Sequence, residues 1–182
     1  ALIHALEIDH GAFHQAAHNF HKSPWLNRLT LSHQSLQEYT KHSPTPIFDA
    51  IISNPPYFKI ETGTPIQNLA RRQARSTDAL TFATLLDCVH LILHPLGNFS
   101  VILPNQEGKE FMQLAIQKNF YVKRCVKVIP REGKVSNRFL IELVLYKTPV
   151  EEDTLIIRTI DKGNHNYTSE FKELHRDFLL AF

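Results

Sequence analysis

From Phe48 to Ser53 the chain runs through an apolar core, Ala50-Ile51-Ile52, and then breaks into Asn54-Pro55-Pro56-Tyr57. A strand that is apolar on both faces needs cover on both faces, which is the condition of a central strand in a parallel sheet. Parallel strands need crossovers, usually helices, so this one run already points to an α/β fold. The flanking sequence agrees. Leu2 to Ile8 reads as a buried strand, and Gly11 to Phe20 as a helix with Ala12, Phe13, Ala16, Ala17 and Phe20 on its packing face. Ser23-Pro24 closes that helix, because the residue before a proline is pushed out of helical conformation. Leu29 to Leu31 is a short strand, and Ser43-Pro44-Thr45-Pro46 a loop leading to the apolar run.

Beyond the two prolines a polar segment extends from Lys59 to Thr77. A helix follows at about Thr81 to Leu93, with Phe82, Leu85, Leu86, Val89 and Leu93 at helical spacing, and His94-Pro95-Leu96-Gly97 ends it. Phe99 to Leu103 is the next strand and Gln106 to Lys118 the next helix. Tyr121 to Val128 and Arg138 to Tyr146 form a strand pair joined by the Pro130–Gly133 loop. Leu155 to Thr159 is expected to be one more strand and Ser169 to Leu180 a terminal helix, so that a strand-helix extension of about 151–182 completes a single domain of 1–182. With 43% hydrophobic residues the chain has material for a sizeable core.

Composition narrows the function classes only modestly. A formal net charge of +2 permits a nucleic-acid partner without arguing for one. The two cysteines, Cys88 and Cys125, have no metal-ligand spacing and fit reduced core thiols in a cytoplasmic protein. No apolar run approaches the length of a membrane span. His10, His14, His18 and His21 recur at three- and four-residue steps along one helix face. With no carboxylate or cysteine constellation beside them, they are read as an exposed polar face, and no metal site is expected.

The chemistry concentrates where the apolar strand stops. In open α/β sheets ligands bind at the carboxyl ends of strands, and Asn54-Pro55-Pro56-Tyr57 stands at one. Each proline fixes its φ and removes a donor, leaving a stiff loop that presents carbonyl oxygens. The Asn54 side-chain oxygen and the Pro55 carbonyl can each accept an N–H from a planar exocyclic amine, favouring a pyramidal nitrogen with a free lone pair. Tyr57 can stack on the flat group, worth roughly 1–3 kcal/mol for a nucleobase. Leu6-Glu7-Ile8-Asp9 places acids at the carboxyl end of another buried strand, where a carboxylate accepts ribose hydroxyls in nucleoside-binding folds. Glu7 is the expected acid, with Asp9 as its substitute or as the cap of the next helix. Ile8 belongs to the same site, and Gln34 and Ser35, after the next strand, stand where an adenine would be held.

Together these residues resemble class I, Rossmann-like S-adenosylmethionine-dependent methyltransferases of the Asn-Pro-Pro-Tyr group. More narrowly they are similar to the bacterial tRNA(Val) adenine-N6 methyltransferases. The narrower resemblance rests on Leu6-Glu7-Ile8-Asp9, Ser23-Pro24-Trp25, Asn54-Pro55-Pro56-Tyr57, Gln73-Ala74-Arg75 with Thr77 and Leu80, Leu85-Leu86, and Tyr167-Thr168 through Asp177-Phe178-Leu179. It implies a three-layer sandwich around a seven-stranded, mostly parallel sheet with an antiparallel last strand, S-adenosylmethionine as methyl donor and tRNA as substrate. It makes Asn54, Pro55, Pro56 and Tyr57 catalytic and base-binding, and Glu7 the ribose acid, with Ile8, Gln34, Ser35 and Asn54 also at the cofactor. Gln34 departs from the acid that many members carry there. The six glycines are scattered and none builds the glycine-rich turn that approaches the methionine part of the cofactor. The first strand and that loop are therefore expected to be missing from this chain, which by itself should bind the cofactor weakly.

For RNA, Arg71, Arg72 and Arg75 follow the loop closely. Lys123, Arg124, Lys127, Arg131, Lys134 and Arg138 form a second basic stretch, with Lys127 and Arg138 the chosen contacts. Two other readings stay open at this level: the same chemistry on DNA adenine, rRNA guanine or a protein glutamine, and a non-catalytic RNA-binding module.

Overall fold

The computed structural model describes residues 1–42, 45, 47–55, 80–161 and 166–178. The chain divides into two compact units, Ala1–Thr45 and Pro46–Phe182.

In the first unit, β1 (Ile3–Glu7) and β2 (Leu29–His33) pair in parallel, joined by α1 (His10–Lys22). Asp9 caps α1, its carboxylate accepting from the Ala12 amide at 2.8 Å. The expected packing residues Ala12, Phe13, Ala16, Ala17 and Phe20 are half-buried, while His10, His14, His18 and His21 are exposed. Strand β1 is shorter than its apolar run suggests: Leu2 and Ile8 lie outside it and are exposed. A second helix, α2 (Leu36–His42), follows β2 and was not anticipated. Its start is nevertheless written in the sequence as Ser35-Leu36-Gln37-Glu38. The Ser35 hydroxyl accepts from the Glu38 amide at 3.1 Å, and the Glu38 carboxylate accepts from the Ser35 amide at 3.0 Å, a reciprocal capping box. The Ser35 amide, together with the Ser35 hydroxyl, which donates to Glu38 Oε2 at 3.0 Å, holds the Glu38 carboxyl below its ordinary value.

The second unit is a five-stranded sheet in the order β3-β4-β6-β5-β7. Its strands are β3 (Phe48–Ser53), β4 (Leu93–Pro104), β5 (Tyr121–Ile129), β6 (Arg138–Val144) and β7 (Glu151–Ile156). Strands β3, β4, β5 and β7 run parallel, and β6 is inserted antiparallel between β4 and β5. The antiparallel strand is thus not the last in the chain. Helices α3 (Phe82–Ile92) and α4 (Asn105–Gln117) cover one face. Phe99, Leu103, Ile141 and Leu143 of the sheet are fully buried, as are Leu85, Leu86 and Phe111 of the helices. Burial of each such side chain is worth about 1.5–3 kcal/mol. Phe111 lies edge-on to both Phe82 and Phe99, with centroids 5.1 and 6.3 Å away. Cys88 and Cys125 are buried free thiols, and burial pushes the Cys125 thiol up from its ordinary value.

Three departures from expectation concern the strands. Strand β4 begins at Leu93, not Phe99, because His94-Pro95-Leu96-Gly97 forms an irregular bulge inside it: Phe48 pairs with Leu93, but Ala50 with Asn98. A Cβ on Gly97 would stand 2.9 Å from the Asp49 carbonyl, so only glycine lets the two backbones approach there. Strand β7 covers Glu151–Ile156 rather than Leu155–Thr159. Its acids read as loop in isolation but face a basic neighbour: Asp153 pairs with Arg124 at 3.0 Å and Glu152 with Lys127 at 3.7 Å. Finally, β3 is an edge strand of this sheet, and Ile52 is 84% exposed despite its apolar surroundings in sequence. Ile52, Ser100, Ile102 and Leu140 line an open groove of about 380 Å³ on the sheet face opposite α3 and α4.

Helix α4 ends in a Schellman motif. Phe120 N donates to Ala115 O, Asn119 N to Ile116 O, and Asn119 takes φ +63°. A short helix, α5 (Ser169–His175), follows β7, with Thr168 capping it through a 3.2 Å bond from the Phe171 amide.

Candidate active site

The parallel strands of the second unit all end at one edge of the sheet, and the antiparallel β6 begins there. Four features therefore meet along that edge: Asn54 after β3, Asn105 after β4, the 130–137 loop with Arg138 between β5 and β6, and Arg158 after β7. Asn54 is exposed while Pro55 is fully buried. Asn54 is therefore accessible from solvent beside a buried proline ring. Pro56, Tyr57, Arg71, Arg72 and Arg75 lie outside the described residues.

Asn105 ties the 130–137 loop to the start of α4. Its side-chain amide donates to the Ser136 carbonyl at 2.6 Å, and the Ser136 hydroxyl donates back to Asn105 Oδ1 at 3.2 Å. Neither residue carries a local signal in sequence, since the partners lie 31 positions apart. Of the predicted RNA contacts, Arg138 stands at this edge, half-buried, at the first position of β6. Lys127 lies mid-strand and pairs with Glu152; Lys123 and Arg124 pair with Glu142 and Asp153.

In the first unit, the register sets Glu7 beside His33, so the carboxyl ends of β1 and β2 coincide. The His33 ring donates to the Ile8 carbonyl at 3.2 Å and stacks on Phe13. Glu7 Oε1 accepts from the Asp9 amide at 2.8 Å, and among the described residues Oε2 takes no hydrogen bond. Asp9 is occupied as the helix cap. Ile8, just past β1, is exposed, and Gln34, just past β2, is half-buried. The register brings Glu7, Ile8, Gln34 and Ser35 to one end of the β1–β2 pair, where a nucleoside would use a carboxylate oxygen for its hydroxyls and flat, partly apolar sides for its base. The Ser35 hydroxyl fits less well, because the capping box with Glu38 already uses it. The four described glycines build no glycine-rich turn at a strand end.

His10 and His14 approach through their Nε2 atoms at 3.1 Å on the exposed face of α1, but among the described residues no three His, Cys, Asp or Glu side chains gather as metal ligands do. No helix among the described residues is long and apolar enough to cross a membrane.

Comparison with known proteins decides the family. A tRNA1(Val) (adenine(37)-N6)-methyltransferase of Shewanella baltica is 38% identical across the whole of this chain, which covers 76% of that relative. The chain belongs to this methyltransferase family. Relatives of the same name in Aliivibrio salmonicida and Pectobacterium carotovorum are 38% and 36% identical over 98% of the chain, covering 72% and 69% of their length. No family model matches. Among solved structures, a predicted O-methyltransferase from Agrobacterium tumefaciens superposes with a TM-score of 0.69 at 17% identity, covering 95% of this chain and 76% of its own. The type I restriction-modification methyltransferase subunit of Streptococcus thermophilus does so with 0.58 at 17% identity, covering 95% and 41%. The fold is that of the Rossmann-like methyltransferases. The family's members take their name from methyl transfer to one adenine of tRNA.

Proposed function

We propose that this protein methylates the exocyclic N6 of adenine in tRNA, at the position next to the anticodon for which its relatives are named, with S-adenosylmethionine as methyl donor. The observation that carries the reading is Asn54-Pro55 at the carboxyl end of β3, exposed acceptor beside buried ring, in a chain 38% identical to such enzymes over its full length. When bound, the cofactor supplies an electrophilic methyl group on a sulfonium.

The chain's own residues do the rest by position. The Asn54 side-chain oxygen and the Pro55 carbonyl each accept one N6 hydrogen, drawing the nitrogen out of conjugation so that its lone pair is free. Tyr57 stacks on the adenine ring. The amine needs no strong base, since its proton is lost only after the new bond has made it acidic. Holding both reactants in line removes much of the entropic barrier. Glu7 accepts the ribose hydroxyls of the cofactor, with Ile8 and Gln34 beside the base; hydrogen bonds to a charged acceptor contribute about 1.5–3 kcal/mol each. An anticodon-loop adenine is already unpaired, so turning it outward costs less than flipping one from a duplex. Such a substrate is consistent with a cytoplasmic protein.

Nucleoside mass spectrometry on valine tRNA from a strain lacking the gene tests the reading. N6-methyladenosine should disappear and return on complementation. Its persistence would exclude this substrate.

A further inference from the structure

The sheet edge that carries Asn54 also holds, at its far end, a depression of about 520 Å³ lined by Pro130, Arg131, Lys134, Val135 and Arg158. Among the described residues, no acidic side chain lines it. We infer that this depression is an RNA phosphate site, gripping the substrate backbone several nucleotides from the reacting base; the inference rests on the tRNA reading above.

The three cations come from two chain segments, and the structure fixes the positions of both guanidinium groups. Arg131 and Lys134 stand at the two ends of one tight turn, in which the Lys134 amide donates to the Arg131 carbonyl at 3.0 Å. Gly133 makes that turn at φ +74°, a conformation side chains resist. Arg131 is locked by Nη1 bonds to the carbonyls of Thr159 and Asp161, at 3.0 and 2.8 Å, which leave its other N–H donors available. Arg158 comes from beyond β7 and lies over the Tyr167 ring at 5.2 Å, itself stacked on Phe171. The two segments are stitched together by the Glu132 amide donating to the Arg158 carbonyl at 2.9 Å.

Charge pairing separates this cluster from the other basic residues of the stretch. Lys123, Arg124 and Lys127 each sit against a carboxylate. Among the described residues, no carboxylate lies within ion-pair distance of Lys134 or Arg158. The nearby acid Glu132 accepts from the Ile160 amide at 2.9 Å, and Asp161 presents its carbonyl, not a carboxylate bond, to Arg131. Two unneutralised cations and a half-used guanidinium around a concavity suit a phosphate, which accepts several charge-assisted bonds at once. Neighbouring strands are about 4.8 Å apart, so the three to four steps from β3 to β5 and β7 put the site about 14–19 Å along the edge from Asn54. That separation reaches backbone outside the modified nucleotide, so the contact adds affinity and register without reading sequence.

The test measures binding of a valine tRNA transcript by the whole gene product across a salt series, for the parent, Lys134→Ala, Arg158→Ala and the double variant. Each substitution should lower the slope of log Kd against log salt by about 1. The double variant should bind about 10- to 30-fold more weakly near 0.15 M salt. Arg158→Lys keeps the charge and should retain the parental slope, which separates loss of a phosphate contact from loss of structure. Unchanged slope and affinity in the double variant would overturn the site. The readout is binding, so it stands apart from turnover. A parent protein that binds tRNA with these slopes but leaves its adenine unmethylated would refute the methylation reading and still support the phosphate site.

Discussion

Replacing Gly108 by alanine sets two known effects against each other. Gly108 lies inside α4, where glycine costs about 0.8–1.0 kcal/mol relative to alanine through backbone entropy. On propensity alone Gly108→Ala should stabilise the protein. Packing argues the opposite, because a Cβ there would stand 2.8 Å from Cδ2 of Phe139 and 3.5 Å from Cδ1 of Ile141. Phe139 is 6% exposed, its ring is rigid, and Ile141 is buried beside it. Neither can yield without moving β6 or α4. Forcing an extra methyl into a packed site costs about 1–3 kcal/mol. The net expectation is a loss of about 1 kcal/mol, within a range of about 0–2, or about 2–4 °C in Tm for each kcal/mol in a protein of this size. Chemical denaturation of parent, Gly108→Ala, Phe139→Leu and the double variant measures it. The leucine should relieve the contact, so the double variant should be more stable than the two single losses added together. If Gly108→Ala alone raises stability by about 1 kcal/mol, helix propensity has won and the close approach of α4 to β6 is wrong.

Three further outcomes follow from other parts of the structure. Asn54→Ala should cut kcat for tRNA methylation by about 10²–10³, by analogy with loss of one preorganised hydrogen-bond partner. Because Asn54 is exposed, Tm should move by less than about 2 °C, and a kcat within about threefold of the parent would refute its acceptor role. Asn119 holds a left-handed conformation at the end of α4, so Asn119→Val should lower stability by about 1–2 kcal/mol and Asn119→Gly should not. Equal stabilities of those two variants in urea would remove the cap argument. Glu38 is held below its ordinary value of 4.5 by its bonds to Ser35, so its contribution is complete above that value and is lost as pH falls through the lower folded-state value. Thermal melts at neutral and acid pH should therefore show a smaller difference in Glu38→Gln than in the parent.

Much of the architecture was legible in local sequence, because its signals are local. Helices α1, α3 and α4 carry apolar residues at helical spacing, α1 and α3 also have polar N-caps, and the observed limits of all three fall within one or two residues of those read from the pattern. Strand β3 and the Asn54-Pro55 break after it were equally plain. The start of α2 was written in Ser35 and Glu38 and could have been read from their spacing alone.

What the chain's order could not express is which strands become neighbours. Strand β7 is acidic and unpromising alone; it becomes a strand because the cations of β5 lie across from it. Ile52 looks like core and is exposed, since burial depends on what covers a side chain and not on its own hydrophobicity. Arg158 meets Arg131 and Lys134 only because β5 and β7 end together at one sheet edge, and Asn105 meets Ser136 across 31 residues for the same reason. Local sequence specifies turns, caps and periodicity through interactions a few residues long. Long-range pairing is decided by the sum of many weak contacts, and that sum exists only once the sheet has closed.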